Sequence, residues 1–80
     1  MKTEIEIFCN NIVFLRKQYG LSKRKMAEML HIGVNSLNSI ENGRLPPRIS
    51  IDIFFRVWKV FGIKPGEQLE NDLSKKIPLL

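Results

Sequence analysis

The chain has one cysteine and one histidine, Cys9 and His31. A lone cysteine excludes an internal disulfide, and a free thiol fits a reducing cytoplasm. Neither residue has a second ligand or a catalytic partner at a recognisable spacing, so no metal, no cofactor and no enzyme chemistry are expected. A glycine-rich phosphate loop is missing. No stretch approaches the roughly 18 apolar residues of a membrane span. The opening MKTEIEIF mixes acids into its apolar residues, unlike a secretory leader. Internal repeats and low-complexity segments are absent as well. Acidic residues are scarce: 8 stand against 13 Lys and Arg, for a net charge of +5. That balance favours a polyanionic partner but says nothing about fold. Eighty residues allow one domain with a small core, so every helix must contribute to it.

What is present is helical periodicity with clear punctuation. Thr3 and Glu6 have capping-box spacing, which predicts a first helix from the N-terminus to about Tyr19, stopped by Gly20. Phe8, Ile12 and Leu15 form its inward stripe, and Ile5 extends it towards the N-terminus. Ser22 caps a second helix through Leu30, with Met26, Ala27 and Leu30 on one face. His31, Ile32 and Gly33 form a break. A third helix starts near Val34, buries Leu37 and Ile40, and stops at Asn42-Gly43, both residues that tolerate the left-handed conformation. Residues 44–49 hold Pro46-Pro47 and read as a rigid loop.

Ser50 caps a fourth helix to about Phe61, with Gly62 as its stop. Ile51, Phe54, Val57 and Phe61 are its expected inward stripe. Ile53, Phe55, Trp58 and Val60 come in addition, more apolar surface than a core stripe needs. Pro65 opens a fifth helix to about Leu73. Residues 1–73 are thus expected to form one compact all-α five-helix bundle, and residues 74–80 a tail. Strand alternation is not found.

Two short helices crossing at residues 22–43 expose the outer face of the second, with Val34, Asn35, Asn38 and Ser39 on it. That is the geometry of a DNA-reading helix-turn-helix. The stretch resembles the helix-turn-helix of phage repressors and Cro, the lambda-repressor-like regulators. The residues that carry the resemblance are Ser22, Ala27, Glu28, Leu30, Ile32, Leu37 and Ile40-Glu41-Asn42-Gly43. Arg16 and Gly20-Leu21 before them, and Phe61-Gly62-Ile63 after them, also fit, so the resemblance spans roughly residues 8 to 70.

The resemblance implies base readers at Val34, Asn35 and Ser39, and a phosphate contact at Lys23. It implies an ion pair between Arg16 and Glu41. Gly33 stands where the family often has a Ser or Thr cap, His31 where it usually has Gly, and Trp58 where a small residue is common. The residues themselves support parts of this. Asparagine both donates and accepts, which matches an adenine edge, so Asn35 and Asn38 are candidate readers, and Val34 suits a thymine methyl group. Two Asn and two Ser within residues 35–39 are poor choices for a merely structural helix. Lys23, Arg24 and Lys25 put cations at a helix start, against the helix dipole, which asks for a functional reason. Gly33, Asn42, Arg44 and Arg48 complete the candidate phosphate contacts.

The expected function is sequence-specific binding of double-stranded DNA by a cytoplasmic transcriptional regulator, most simply a repressor acting as a two-fold homodimer. Phe55, Trp58, Ile77 and Leu79 are candidate dimer contacts. The rival reading is a protein-interaction adaptor or antitoxin-like module on the same fold, with a protein partner. It rests on the apolar excess of the fourth helix and the short neutral side chains of the reading face.

Overall fold

The computed structural model describes residues 3–75. Five α-helices follow one another: α1 (Glu4–Gln18), α2 (Lys23–Leu30), α3 (Val34–Glu41), α4 (Asp52–Phe61) and α5 (Pro65–Glu70). A 3-10 turn, Leu73–Lys75, follows. Among the described residues there are no strands.

The helix starts obey local chemistry. The Thr3 hydroxyl accepts from the Glu6 amide at 3.2 Å, and the Glu6 carboxylate accepts from the Thr3 amide at 3.2 Å. The two bonds satisfy reciprocal donors at the start of α1. Ser22 Oγ accepts from the Lys25 amide at 3.0 Å and does the same for α2. At α4 the N-cap is Ile51 and not Ser50, with no side-chain cap bond; Ser50 stands one residue earlier, and its Oγ accepts from the Asp52 amide at 3.1 Å.

The ends of α1, α2 and α3 share one bond pattern. Leu21, Ile32 and Arg44 donate their amides to Arg16, Ala27 and Ser39, five residues back. Gly20, His31 and Gly43 donate to Lys17, Glu28 and Ile40, three residues back. This is the Schellman closure, and its turning residue must be left-handed. Gly20 and Gly43 do so at φ 63° and 87°, but in the middle case His31 takes φ 58°. Asn42 and Gly43 both tolerate that conformation, and Gly43 is the one that adopts it. Asn42 stays at φ −92°, because the closure needs one left-handed residue and Gly43 supplies it.

Phe8, Ile12 and Leu15 of α1 meet Met26, Ala27 and Leu30 of α2, Leu37 and Ile40 of α3, and Ile53 and Val57 of α4. The Phe8 and Phe54 rings pack with centroids 4.8 Å apart. Leu45 and Ile49 lean on this core, so the proline-containing loop is tied down from both sides. Cys9 is buried, and burial pushes its thiol up from the ordinary value. It is therefore a small packed group held in the thiol form.

Three further expectations need correction. Ile5 is 46% exposed and does not extend the core stripe, since α1 overhangs its neighbours there. In α4 the inward face is Ile53 and Val57, with Phe54 and Phe61 half-buried beside them. Residues two apart in a helix point about 200° apart, so turning Ile53 inward throws Ile51 outward, to 68% exposure. The fifth helix is shorter than expected. It ends at Glu70, and the chain restarts as the 3-10 turn at Leu73.

The reason for that break is a polar seam. Asn11 is buried on α1, and its Nδ2 donates to the Gln68 and Asn71 carbonyls at 2.9 and 2.8 Å. Its Oδ1 accepts the Leu73 amide at 2.9 Å. Gln68, also buried, donates Nε2 to the Phe54 and Ile63 carbonyls at 2.9 and 2.7 Å. The end of α5 therefore gives its carbonyls to a side chain of α1 instead of to another helical turn.

Candidate nucleic-acid interface

The recognition geometry starts from α1. Arg16 Nε and Nη2 donate to the two Glu41 oxygens at 2.6 and 3.0 Å, and Nη1 donates to the Leu21 carbonyl at 3.1 Å. The fork is well sheltered, with the two side chains 17% and 9% exposed. A planar guanidinium holding a carboxylate at two points fixes angle as well as distance. The hydrogen bond to Glu41 also raises the Arg16 pKa above its ordinary value, so the guanidinium stays charged. This pair clamps the end of α3 to α1 and to the chain entering α2. Leu37 and Ile40 then fix which face of α3 points inward.

The outward face carries the four candidate readers. Val34 and Asn35 are exposed, while Asn38 and Ser39 are half-buried at the edge of the same face. Asn38 is not idle, because Lys23 Nζ donates to its Oδ1 at 3.0 Å. The candidate phosphate contact of α2 and a candidate reader of α3 thus touch at the open face of the two helices. Among the described residues Asn35 has no such partner.

Lys23, Arg24 and Lys25 are exposed at the start of α2, and Arg44 and Arg48 are exposed past the end of α3. The cations therefore flank α3 in the chain on both sides. Gly33 precedes α3 with no side-chain cap, and a Cβ built on it would meet nothing within 4 Å. Steric crowding within the chain does not require a glycine there. The Asn42 side chain is exposed beside the α3 end.

The candidate dimer contacts divide. Phe55 and Trp58 are 50% and 42% exposed, with ring centroids 6.3 Å apart. With Ile51 they form a stripe at i, i+4 and i+7 on one side of α4. Ile77 and Leu79 lie outside the described residues.

Arg56 went unnoticed in the sequence. Its Nη2 donates to the Met29 carbonyl at 3.0 Å and ties α4 to the end of α2. The buried amides Asn11 and Gln68 were missed too. One signal for Asn11 was available: it sits on the inward stripe of α1, three residues after Phe8 and four before Leu15. A polar residue at such a position needs a buried partner.

A family profile described as helix-turn-helix, of the Cro/C1 type, matches residues 14–68. The chain belongs to this lambda-repressor/Cro-like helix-turn-helix family, a DNA-binding, transcription-regulating group that is generally non-enzymatic. No curated protein and no solved structure matches the chain. Among the described residues no helix is long and apolar enough to cross a membrane, and no cluster of His, Cys, Asp and Glu is arranged to hold a metal ion.

Proposed function

We propose that this DNA-binding domain reads a specific duplex site from α3 as a homodimer and represses transcription in the cytoplasm. The observation that carries the reading is the division of labour on α3. Leu37 and Ile40 anchor it, the Arg16–Glu41 fork orients it, and its free face offers short neutral readers bracketed by five exposed cations. In this reading Val34, Asn35, Asn38 and Ser39 meet base edges. Lys23, Arg44 and Arg48, the Gly33 amide and the Asn42 amide group meet phosphates. Phosphate contacts supply affinity and position, and the base contacts supply specificity.

Selection from random duplexes with the purified protein tests it. The wild type enriches one motif, arranged as two half-sites. Asn35→Ala costs about 1–3 kcal/mol on that motif and relaxes one base position in each half-site. The exposed position of Asn35 leaves the melting temperature unchanged. An identical motif from both proteins removes Asn35 from the readers.

The dimer rests on the apolar stripe of α4. Trp58→Ala weakens self-association by about tenfold while costing the fold only about 1 kcal/mol, since the ring is already 42% exposed. Sedimentation with and without DNA measures the first effect and thermal melting the second. The same stripe favours the second reading, an adaptor that docks a protein partner. That reading prevails if the stripe binds a protein while duplex selection enriches nothing.

A further inference from the structure

Between the motif turn and α4 lies an open groove of about 560 Å³. Sites that bury small organic ligands run from about 300 to 1,000 Å³. Its walls are of two kinds. Leu30, Ile32, Ile49, Ile53 and Phe55 give apolar surface. Arg48, Arg56 and Lys59 give three cations against one carboxylate, Asp52. Among the described residues none of these three cations takes part in a close ion pair such as Arg16–Glu41. Arg56 is held in place by the Met29 carbonyl, yet its Nε is buried without a partner. Arg56 is half-buried and Arg48 and Lys59 are exposed, so the rim carries three cations with a single carboxylate near them, a balance that favours an anion.

We propose that this groove binds a small organic carboxylate with an apolar body, of the size of a medium-chain fatty acid. The carboxylate lies against Arg56 and Lys59, and the chain lies against Ile49, Ile53 and Phe55. Charge complementarity and wall chemistry select this class together. A bare inorganic anion leaves the apolar wall wet, and a hydrocarbon leaves the cations unneutralised. An amphiphile with one negative end satisfies both. The groove also takes Ile32 and Ser36 into its wall, from the turn and from α3. A guest there touches the back of the recognition helix and competes for Arg48. If the DNA reading above holds, it weakens DNA binding.

Isothermal titration of the whole chain with octanoate, below its micellar range, tests the site without DNA. Octanoate saturates at one per chain. Octanol, with the same tail and no charge, binds about tenfold more weakly, the loss of bonds to a charged group. Acetate does not compete. Lys59→Gln weakens octanoate about two- to fivefold with an unchanged melting temperature, and Arg56→Gln weakens it further. Absence of saturable binding, equal binding of octanol and octanoate, or full binding by both variants overturns the proposal. A second titration, with the selected duplex present, reads the coupling. Failure of duplex selection removes only that second titration and leaves the octanoate result to decide the site.

Discussion

The helix-turn-helix of α2 and α3 and the C-terminal segment from α4 to the 3-10 turn are built on opposite plans. The motif is closed by short-range bonds. Ser22 caps α2 three residues on, and the Schellman closures of α2 and α3 span five residues at most. In the C-terminal segment α4 is anchored in the core by Ile53 and Val57, while α5 and the 3-10 turn are held by buried amides, and the Asn11 bonds bridge sequence separations of 57 to 62. A motif that presents side chains to a partner gains from local closure, because its shape then depends little on the rest of the chain. The C-terminal segment completes the core from outside and must be told where to stop. Asn11 gives that instruction.

The largest predicted effect breaks the C-terminal plan. Asn11→Ala removes three hydrogen bonds and leaves the Leu73 amide and the Gln68 and Asn71 carbonyls to find other partners. Unsatisfied buried groups cost about 1–3 kcal/mol each, and partial rehydration at the chain end offsets some of that. A loss of about 3 kcal/mol in denaturant unfolding is expected, a large share of a small domain's stability. Hydrogen exchange should show α5 opening first, with α2 and α3 still protected. Uniform loss of protection throughout would mean that the two regions are one cooperative unit and that the contrast is false.

A smaller effect tests whether the motif is as self-contained as its closures imply. Its polar tether to α1 is the Arg16 fork, which acts beside the apolar core the three helices share. Arg16→Lys keeps the charge but cannot hold both Glu41 oxygens and the Leu21 carbonyl in one plane. About 1–2 kcal/mol of stability is expected to go, from the loss of charge-assisted bonds in a sheltered site. DNA affinity should fall by more than stability predicts, since the fork sets the angle of α3. If affinity is untouched while stability drops, α3 is oriented by Leu37 and Ile40 alone.

The same contrast explains what the sequence made legible. Caps and stops are written within a few residues of where they act, so the ends of α1, α2 and α3 and the Arg16–Glu41 pair followed from spacing and resemblance. The Ile51–Ile53 phase did not. Both are equally apolar, and the loop that sets the helix start decides which one faces in. Asn11 bonds backbone carbonyls far away in the chain and Gln68 bonds carbonyls of α4 and of the turn after it, and a carbonyl leaves no mark in a sequence. Of the DNA-facing site, the placement of Val34 and Asn35 outside was legible from helical period. The Lys23–Asn38 bond was not, since it depends on how closely two helices approach.

The smallest predicted effect sharpens the contrast inside the motif. His31 closes α2 in the left-handed conformation that Gly20 and Gly43 adopt at the neighbouring closures. For an L-residue that conformation costs about 1–2 kcal/mol, and glycine returns part of the gain by its freedom in the unfolded chain. His31→Gly is therefore expected to stabilise the fold by about 0.5 kcal/mol, measured by denaturant melts. A gain of this size means that the closure geometry, and not the imidazole, sets the turn. A loss means that the ring, which stands in the wall of the groove beside α4, makes contacts worth more than the strain it carries. In that case the motif is not closed by local bonds alone, and the turn is held in part from α4.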